Sequence, residues 1–580
     1  VTDLPDDAQA APSFNLTDQP WIGVLKRDGS QAELSLNAIF AEAPSISRLV
    51  VDLPTQEFAL LRLLLAIAHD ALDGPRDTDE WGELWGDPDC FARVGEYLDA
   101  HRSRFDLLHP VAPFFQTAGL RTAKDEVHSL NRIVADVPNG EPFFTARMPT
   151  VERLTFAEAA RWVVHAHAYD TSGIKSGAVG DERVKGGKVY PLGTGWAGGL
   201  GGVFVEGDTL RETLLLNLIA ADTDPLDVSS DDDRPAWRRE PSPAGSTGRS
   251  PSGVRDLYTW QTRRIRLHHD DTGVTGVVLA YGDPLPPHNQ HGREPMTAWR
   301  RSQAQEKKLG RSPVYLPREH DPARAAWRGV ASLVADRAET SQGGEAALYL
   351  RPGILEWIAR LVTDGELPRG FLIRARTVGA AYGTQQSVID DIVDDRLAMP
   401  VVLLHQQDRT CARQAVGAAD DADHAVRALG DLASDLARAA GGEGEAGRSA
   451  ARDAGFAALE GPYRTWLARL AEAGDPFEQR RVWQRDAHRL MLRLGGRLIA
   501  QAGDAAWQGR TVADKKGALW LNAGLADRWF RGRLAKALGG PFDPEAPTEG
   551  APPSSSDQPG PRLTAPGGPG SSATDPKVPV

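Results

Sequence analysis

Residues 415–440 read AVGAADDADHAVRALGDLASDLARAA: apolar side chains recur at helical spacing over about seven turns, and the run stops at Gly441-Gly442. Glycine just past a periodic run is the usual end of a helix, because it takes the left-handed conformation without a side-chain penalty. The same Ala/Leu/Arg-rich texture continues to Leu538 and breaks again near Gly474 and Gly503. Those breaks divide the stretch into four helices, so a four-helix bundle is expected over 401–540. Beyond it, 541–580 is rich in Pro, Gly and Ser with almost no large apolar groups, the composition of a disordered tail.

Toward the N-terminus the character changes near Pro400. Residues 1–12 read as disordered and 13–400 as a large mixed α/β domain, so the expected class is α+β. Asp28-Gly29 reads as a hairpin turn. Helices are expected over 35–43, over 55–71 with Thr55 as cap, and over 155–166, 208–218, 327–338 and 353–362. Trp260 to Tyr281 reads as a β-hairpin turning at HDDTG. The glycine-laden 169–207 reads as loop, and the polar 221–253 as extended or mobile.

Composition narrows the function. At 580 residues two or three domains are expected; 25% charged and 41% hydrophobic residues are ordinary for a soluble globular protein. No run of about 18 apolar residues occurs, and the acidic N-terminus lacks the apolar core of a signal peptide. Two cysteines, Cys90 and Cys411, leave no disulfide framework and no four-cysteine metal site. A cytoplasmic protein without a membrane partner is the expectation. Net charge is −13, yet 451–540 carries 16 Lys/Arg against 9 Asp/Glu. An acidic protein with one basic region permits a local nucleic-acid contact without requiring one.

Several motifs invite a chemical reading. Gly193-Thr-Gly-Trp-Ala-Gly198 fits GxGxxG, but no good strand precedes it and no helix follows directly, so a glycine loop is the better reading. His268-His269-Asp270-Asp271 resembles a metal-hydrolase pair, but it sits at the expected hairpin turn, where Asp is commonplace. His165 and His167 are two apart on a helix and face different ways. No nucleophile elbow, phosphate-binding loop or HExxH is present, and no cofactor or metal is expected. Arg481, Arg485, Arg489 and Arg493 recur every four residues, with Arg497 continuing the row. They form one stripe, either a solvated face or a surface for phosphates. Gln385-Gln386 sit in a loop between LIRARTVGA and VIDDIVDD and, taken alone, read as polar surface.

Seven segments in order change these weights: FNLTDQPWIGV (14–24), DLPTQEFALLRLLLAIAHDAL (52–72), HPVAPFFQTAGL (109–120), YDTSGIKSG (169–177), GGVFVEGDTLRETLLLNLI (201–219), RPAWRREP (234–241) and LYTWQTRRIRL (257–267). Together they resemble the CasA family, the large subunit of type I-E CRISPR Cascade. The resemblance covers most of 14–540 and rests on the order and number of segments.

The resemblance implies a subunit with no catalysis of its own. Its partners would be the crRNA guide, the other Cascade subunits, double-stranded target DNA carrying the PAM, and a recruited helicase-nuclease. By position, Gln385 and Gln386 match the family's glutamine wedge, and Ser172, Gly173 and Ile174 its PAM-reading glycine loop. The stretch matching its lysine finger, 296–301, has no lysine, which leaves Arg300, Arg301 or Lys307 for that role. Phe143 or Phe144 matches the aromatic residue of its guide-handle loop. The alternatives are a metal-dependent phosphohydrolase at His268–Asp271 and a scaffold that binds protein alone.

Overall fold

The computed structural model describes residues 12–135, 151–223, 226, 232–336, 346–470, 474–514 and 517–540. The expectations for 1–12 (Pro12 apart), for 541–580 and for Phe143 and Phe144 lie outside them.

The N-terminal region is built from small sheets clamped by helices. Ile22–Lys26 pairs with Gln31–Leu34 on one side and Ile46–Leu49 on the other, all antiparallel, and the first pair turns through Gly29 at φ +86°. Ser35 caps helix Leu36–Glu42 by accepting from the Ala38 N–H. The helix Pro54–Leu72 is almost wholly buried, and it differs from expectation at its start. Pro54 opens it, where a missing N–H costs nothing, and Thr55 is not the cap. Its hydroxyl lies 3.0 Å from His165 Nε2 in the core. Helix Phe156–Tyr169 carries that histidine and begins with a full capping box between Thr155 and Glu158.

The hairpin Arg263–Asp270/Gly273–Tyr281 forms as expected. A longer one, Leu372–Tyr382 against Ile389–Pro400, is antiparallel throughout, with a register shift next to Tyr382. Gly202–Val205 adds a third strand beside Leu372–Tyr382, which corrects the reading of 169–207 as loop alone: all four residues are buried. Residues 232–253 also differ from expectation. Trp237 is buried, Arg238 reaches Asp70, and Arg249 stacks over Trp260 at 4.3 Å. Only Ala326–Leu333 of the expected helix over 327–338 is helical among the described residues.

Buried charge in this region is paired. Arg62 and Glu294 meet through two 2.9 Å hydrogen bonds, with Trp196 Nε1 donating to the same carboxylate at 2.7 Å. Arg376, on the central strand of the long hairpin's sheet, is held by Asp394, Glu57 and Glu206. A guanidinium at such a depth is tolerated only when its donors are satisfied this way.

The four expected helices are Thr410–Ala440, Glu445–Ala468, Pro476–Ala500 and Ala523–Leu538. The first supplies the centre, burying Ala418, Ala422, Ala425, Leu429 and Leu432 against the other three. A short helix, Asp504–Gln508, and a hairpin, Arg510–Asp514/Gly517–Leu521, stand between the third and fourth helices, where only a break was expected. The second helix is fastened to the root of the long hairpin. Arg464 Nη2 reaches both Asp395 oxygens at 2.8 Å, Trp327 Nε1 donates to Glu460 at 2.7 Å, and Trp327 stacks on Tyr463 at 4.5 Å.

Candidate nucleic-acid interface

Gln385 and Gln386 form the exposed tip of the long hairpin. Both have left-handed backbones, φ +57° and +56°, a conformation that L-residues other than Gly, Asn and Asp seldom adopt. Two adjacent glutamines held there store about 1–3 kcal/mol each. A hairpin that needed only to close would place glycine or asparagine at such positions. Below the tip, Tyr382 donates to the Tyr169 carbonyl at 2.7 Å, which ties the hairpin to the end of helix Phe156–Tyr169.

The loop that follows that helix comes up beside the tip. The Ser172 N–H donates to the Gln386 carbonyl at 2.7 Å, so the tip and the 172–174 loop form one continuous edge. Ser172 itself is buried, and its hydroxyl accepts from the Gly193 N–H at 3.2 Å. Gly173 is half-buried and Ile174 is 57% exposed, so these two face outward. A Cβ added to Gly173 would meet no atom within 4 Å. The fold therefore does not demand glycine there; an external surface approaching closely would.

A buried ionic brace holds the loop. Arg263 and Lys175 both bind Asp170 Oδ2, the lysine at 2.7 Å. Arg263 Nη2 also donates to the carbonyls of Asp170, Thr171 and Gly193, and Tyr281 to that of Gly173. Burial opposes ionisation of Asp170, but Lys175 and Arg263 hold its carboxyl below the ordinary value. The sequence reading missed all four brace residues. The available signal was Arg263-Arg264 at the start of the strand Arg263–Asp270, two adjacent charges that the fold buries and that must therefore find partners.

The basic candidates separate by position. Arg300 is exposed on strand Trp299–Arg301 and, with Gln386, Gly193 and Tyr281, lines a cavity of about 200 Å³. Arg301, its neighbour, is committed to Glu306 at 2.6 Å. Lys307 is exposed on the short helix Gln303–Leu309. On the third bundle helix the buried row is Trp483, Ala487, Met491 and Gly495. Arg485, Arg489 and Arg493 follow each of the first three by two residues, about 200° around, so the stripe faces away from the core. Arg481 pairs with Glu478 at 3.2 Å and Arg489 with Asp486 at 3.4 Å.

The other tempting motifs have structural partners. Gly195 fits against the backbone of Ala168, where a Cβ would lie 2.3 Å from the carbonyl carbon. Asp270 is gripped by Arg153 and Thr272, and His268 and His269 alternate along their strand. No three His, Cys, Asp or Glu side chains converge as a metal site among the described residues. Nor is any helix among them long and apolar enough to cross a membrane.

Small sheets with a projecting hairpin, fastened to a helical bundle, define a large α+β protein. Comparison with known proteins makes this particular. The family model of the CRISPR-associated protein Cse1 matches residues 15–494. CasA/Cse1 of Thermus thermophilus is 28% identical over 478 residues, 79% of this chain and 83% of that protein. The crystal structure of Thermobifida fusca Cse1 matches with a TM-score of 0.84 and 59% identity, covering 91% of this chain and 98% of that one. Cse1 from Acidimicrobium ferrooxidans matches with a TM-score of 0.76 and 33% identity, over 91% and 98% of the two chains. The chain belongs to the Cse1 family, also called CasA, the large subunit of type I-E Cascade.

Proposed function

We propose that this chain is a non-catalytic subunit that reads the PAM of duplex DNA from the minor groove and begins its unwinding. The Gln385-Gln386 tip serves as the wedge, and the Gly173-Ile174 face of the loop as the reader. The observation that carries this is the Ser172–Gln386 hydrogen bond, which makes the strained tip and the open glycine a single rigid edge. Arg300, across the cavity from the tip, is the best placed of the three basic candidates.

The chemistry follows from the groove. A planar amide stacks on the last base pair and offers donors and acceptors to unpaired edges. The minor groove distinguishes mainly A·T from G·C, so several related PAMs are accepted. Unstacking costs about a few kcal/mol per step, which contacts along the edge offset until pairing with the crRNA guide takes over. The remaining partners are the other Cascade subunits and the helicase-nuclease that degrades the target, all in the cytoplasm. In a reconstituted complex, Gln385→Ala with Gln386→Ala leaves assembly intact and abolishes target unwinding. Normal unwinding by that double variant would end the wedge assignment.

A further inference from the structure

A cavity of about 310 Å³ opens on the other side of the tip, lined by Ser387, Gly173, Asp170, Lys175 and Arg132 among others. Its charge does not balance. Lys175 is buried with its ammonium on Asp170, but Arg263 takes the same carboxylate oxygen. Arg132 lines the cavity with no hydrogen bond or ion pair to its guanidinium among the described residues. Burial, and beside it the Arg263 and Arg132 charges, push the Lys175 ammonium below its ordinary value against the pull of Asp170. The nearest further acid facing Arg132 is Glu126, which is exposed and lies 3.9 Å from Lys124. His165, which also lines the cavity, is held neutral by burial. Two buried cations, Lys175 and Arg263, thus share one carboxylate, and the exposed Arg132 adds a third positive charge beside a space that accommodates a phosphate group. Two buried cations on a single carboxylate leave an excess of positive charge, which an incoming anion offsets.

We propose that this cavity is an anion site which takes one backbone phosphate of the DNA strand passing the glutamine tip, with Lys175 and Arg132 as its cations. The assignment to DNA rests on the PAM-reading function; the anion site does not. A phosphate seated here anchors one strand against the loop while the wedge enters beside it, and it carries no sequence information of its own.

Two measurements separate these claims. In the first, the full-length chain is titrated with inorganic phosphate and followed by 31P line broadening and thermal melting. Phosphate broadens and stabilises the wild type, and Arg132→Gln, an exposed change that spares the core, removes both effects. Absence of any response, or an equal response from Arg132→Gln, overturns the anion site whatever the protein does to DNA. In the second, single methylphosphonates are scanned along a PAM duplex bound by the reconstituted complex. One position next to the PAM costs about tenfold in affinity, and that loss vanishes in Arg132→Gln and in Lys175→Met. A flat scan from a complex that still unwinds its target overturns the DNA assignment. Failure of the Gln385/Gln386 test instead bears on the wedge.

Discussion

Gly173 and Gly195 stand on neighbouring loops, and the chain needs them for different reasons. A methyl group on Gly195 would collide with backbone at 2.3 Å, so Gly195→Ala costs about 1–3 kcal/mol through overpacking. A methyl group on Gly173 meets nothing within the protein. Gly173→Ala is therefore expected to melt at the wild-type temperature while weakening binding of a PAM duplex tenfold or more. Melting curves and a duplex titration on both variants check this. Equal binding by Gly173→Ala would show that the loop does not approach a groove. The glutamines teach a related lesson. Alone in the sequence, Gln385-Gln386 reads as polar surface, and family likeness was needed to single it out. The backbone strain that marks the pair is a tertiary property, invisible to residue type.

Regular elements were legible wherever local signals agreed with packing. Thr155 with Glu158 announces a helix start, Asp28-Gly29 a turn, and the spacing of Ala418, Ala422, Ala425 and Leu429 a buried helix face. The hairpin Arg510–Asp514/Gly517–Leu521 was not, because its short strands lie in Ala/Leu/Arg-rich chain that resembles helix. Residues 232–253 looked mobile because their composition is polar; they are fixed by distant partners such as Asp70 and Trp260, which no local pattern reports. The arginine helix gives an element-scale prediction. Arg480 is bound by both its Nε and Nη2 to Asp421 at 2.9 Å, so Arg480→Gln destabilises the bundle by about 1–3 kcal/mol. Arg485→Gln with Arg493→Gln leaves stability within about 0.5 kcal/mol. If the stripe meets phosphates, that pair flattens the log–log salt dependence of target binding by about one to two. An unchanged slope assigns the stripe to solvent or protein contacts.

Buried histidines contribute to the pH dependence of stability. Burial pushes His69 and His165 down to about 3, and His167 and His320 down to about 4, from the ordinary 6.5. Unfolding restores the ordinary value, so between about pH 6.5 and 4 the unfolded chain binds more protons than the folded one. Their stabilising effect is complete above pH 6.5 and is lost as pH falls toward the folded values. Each contributes a slope of up to about 1.4 kcal/mol per pH unit. Chemical denaturation across pH 7.5 to 4.5 should show little change down to about pH 6.5 and a fall in stability below it, and His320→Gln should flatten that fall by one histidine's share. A curve flat through this range would mean that these imidazoles are not buried neutral.

The Arg464–Asp395 ion pair fastens the second bundle helix to the root of the hairpin that carries Gln385 and Gln386. The claim that this chain reads DNA is tested most directly by PAM-dependent duplex binding. The reconstituted complex, with and without this subunit, is presented with a library randomised at the PAM. The account predicts that tight binding requires the subunit and that a short, degenerate sequence preference emerges. Binding indifferent to the subunit, or without sequence preference in its presence, would contradict it.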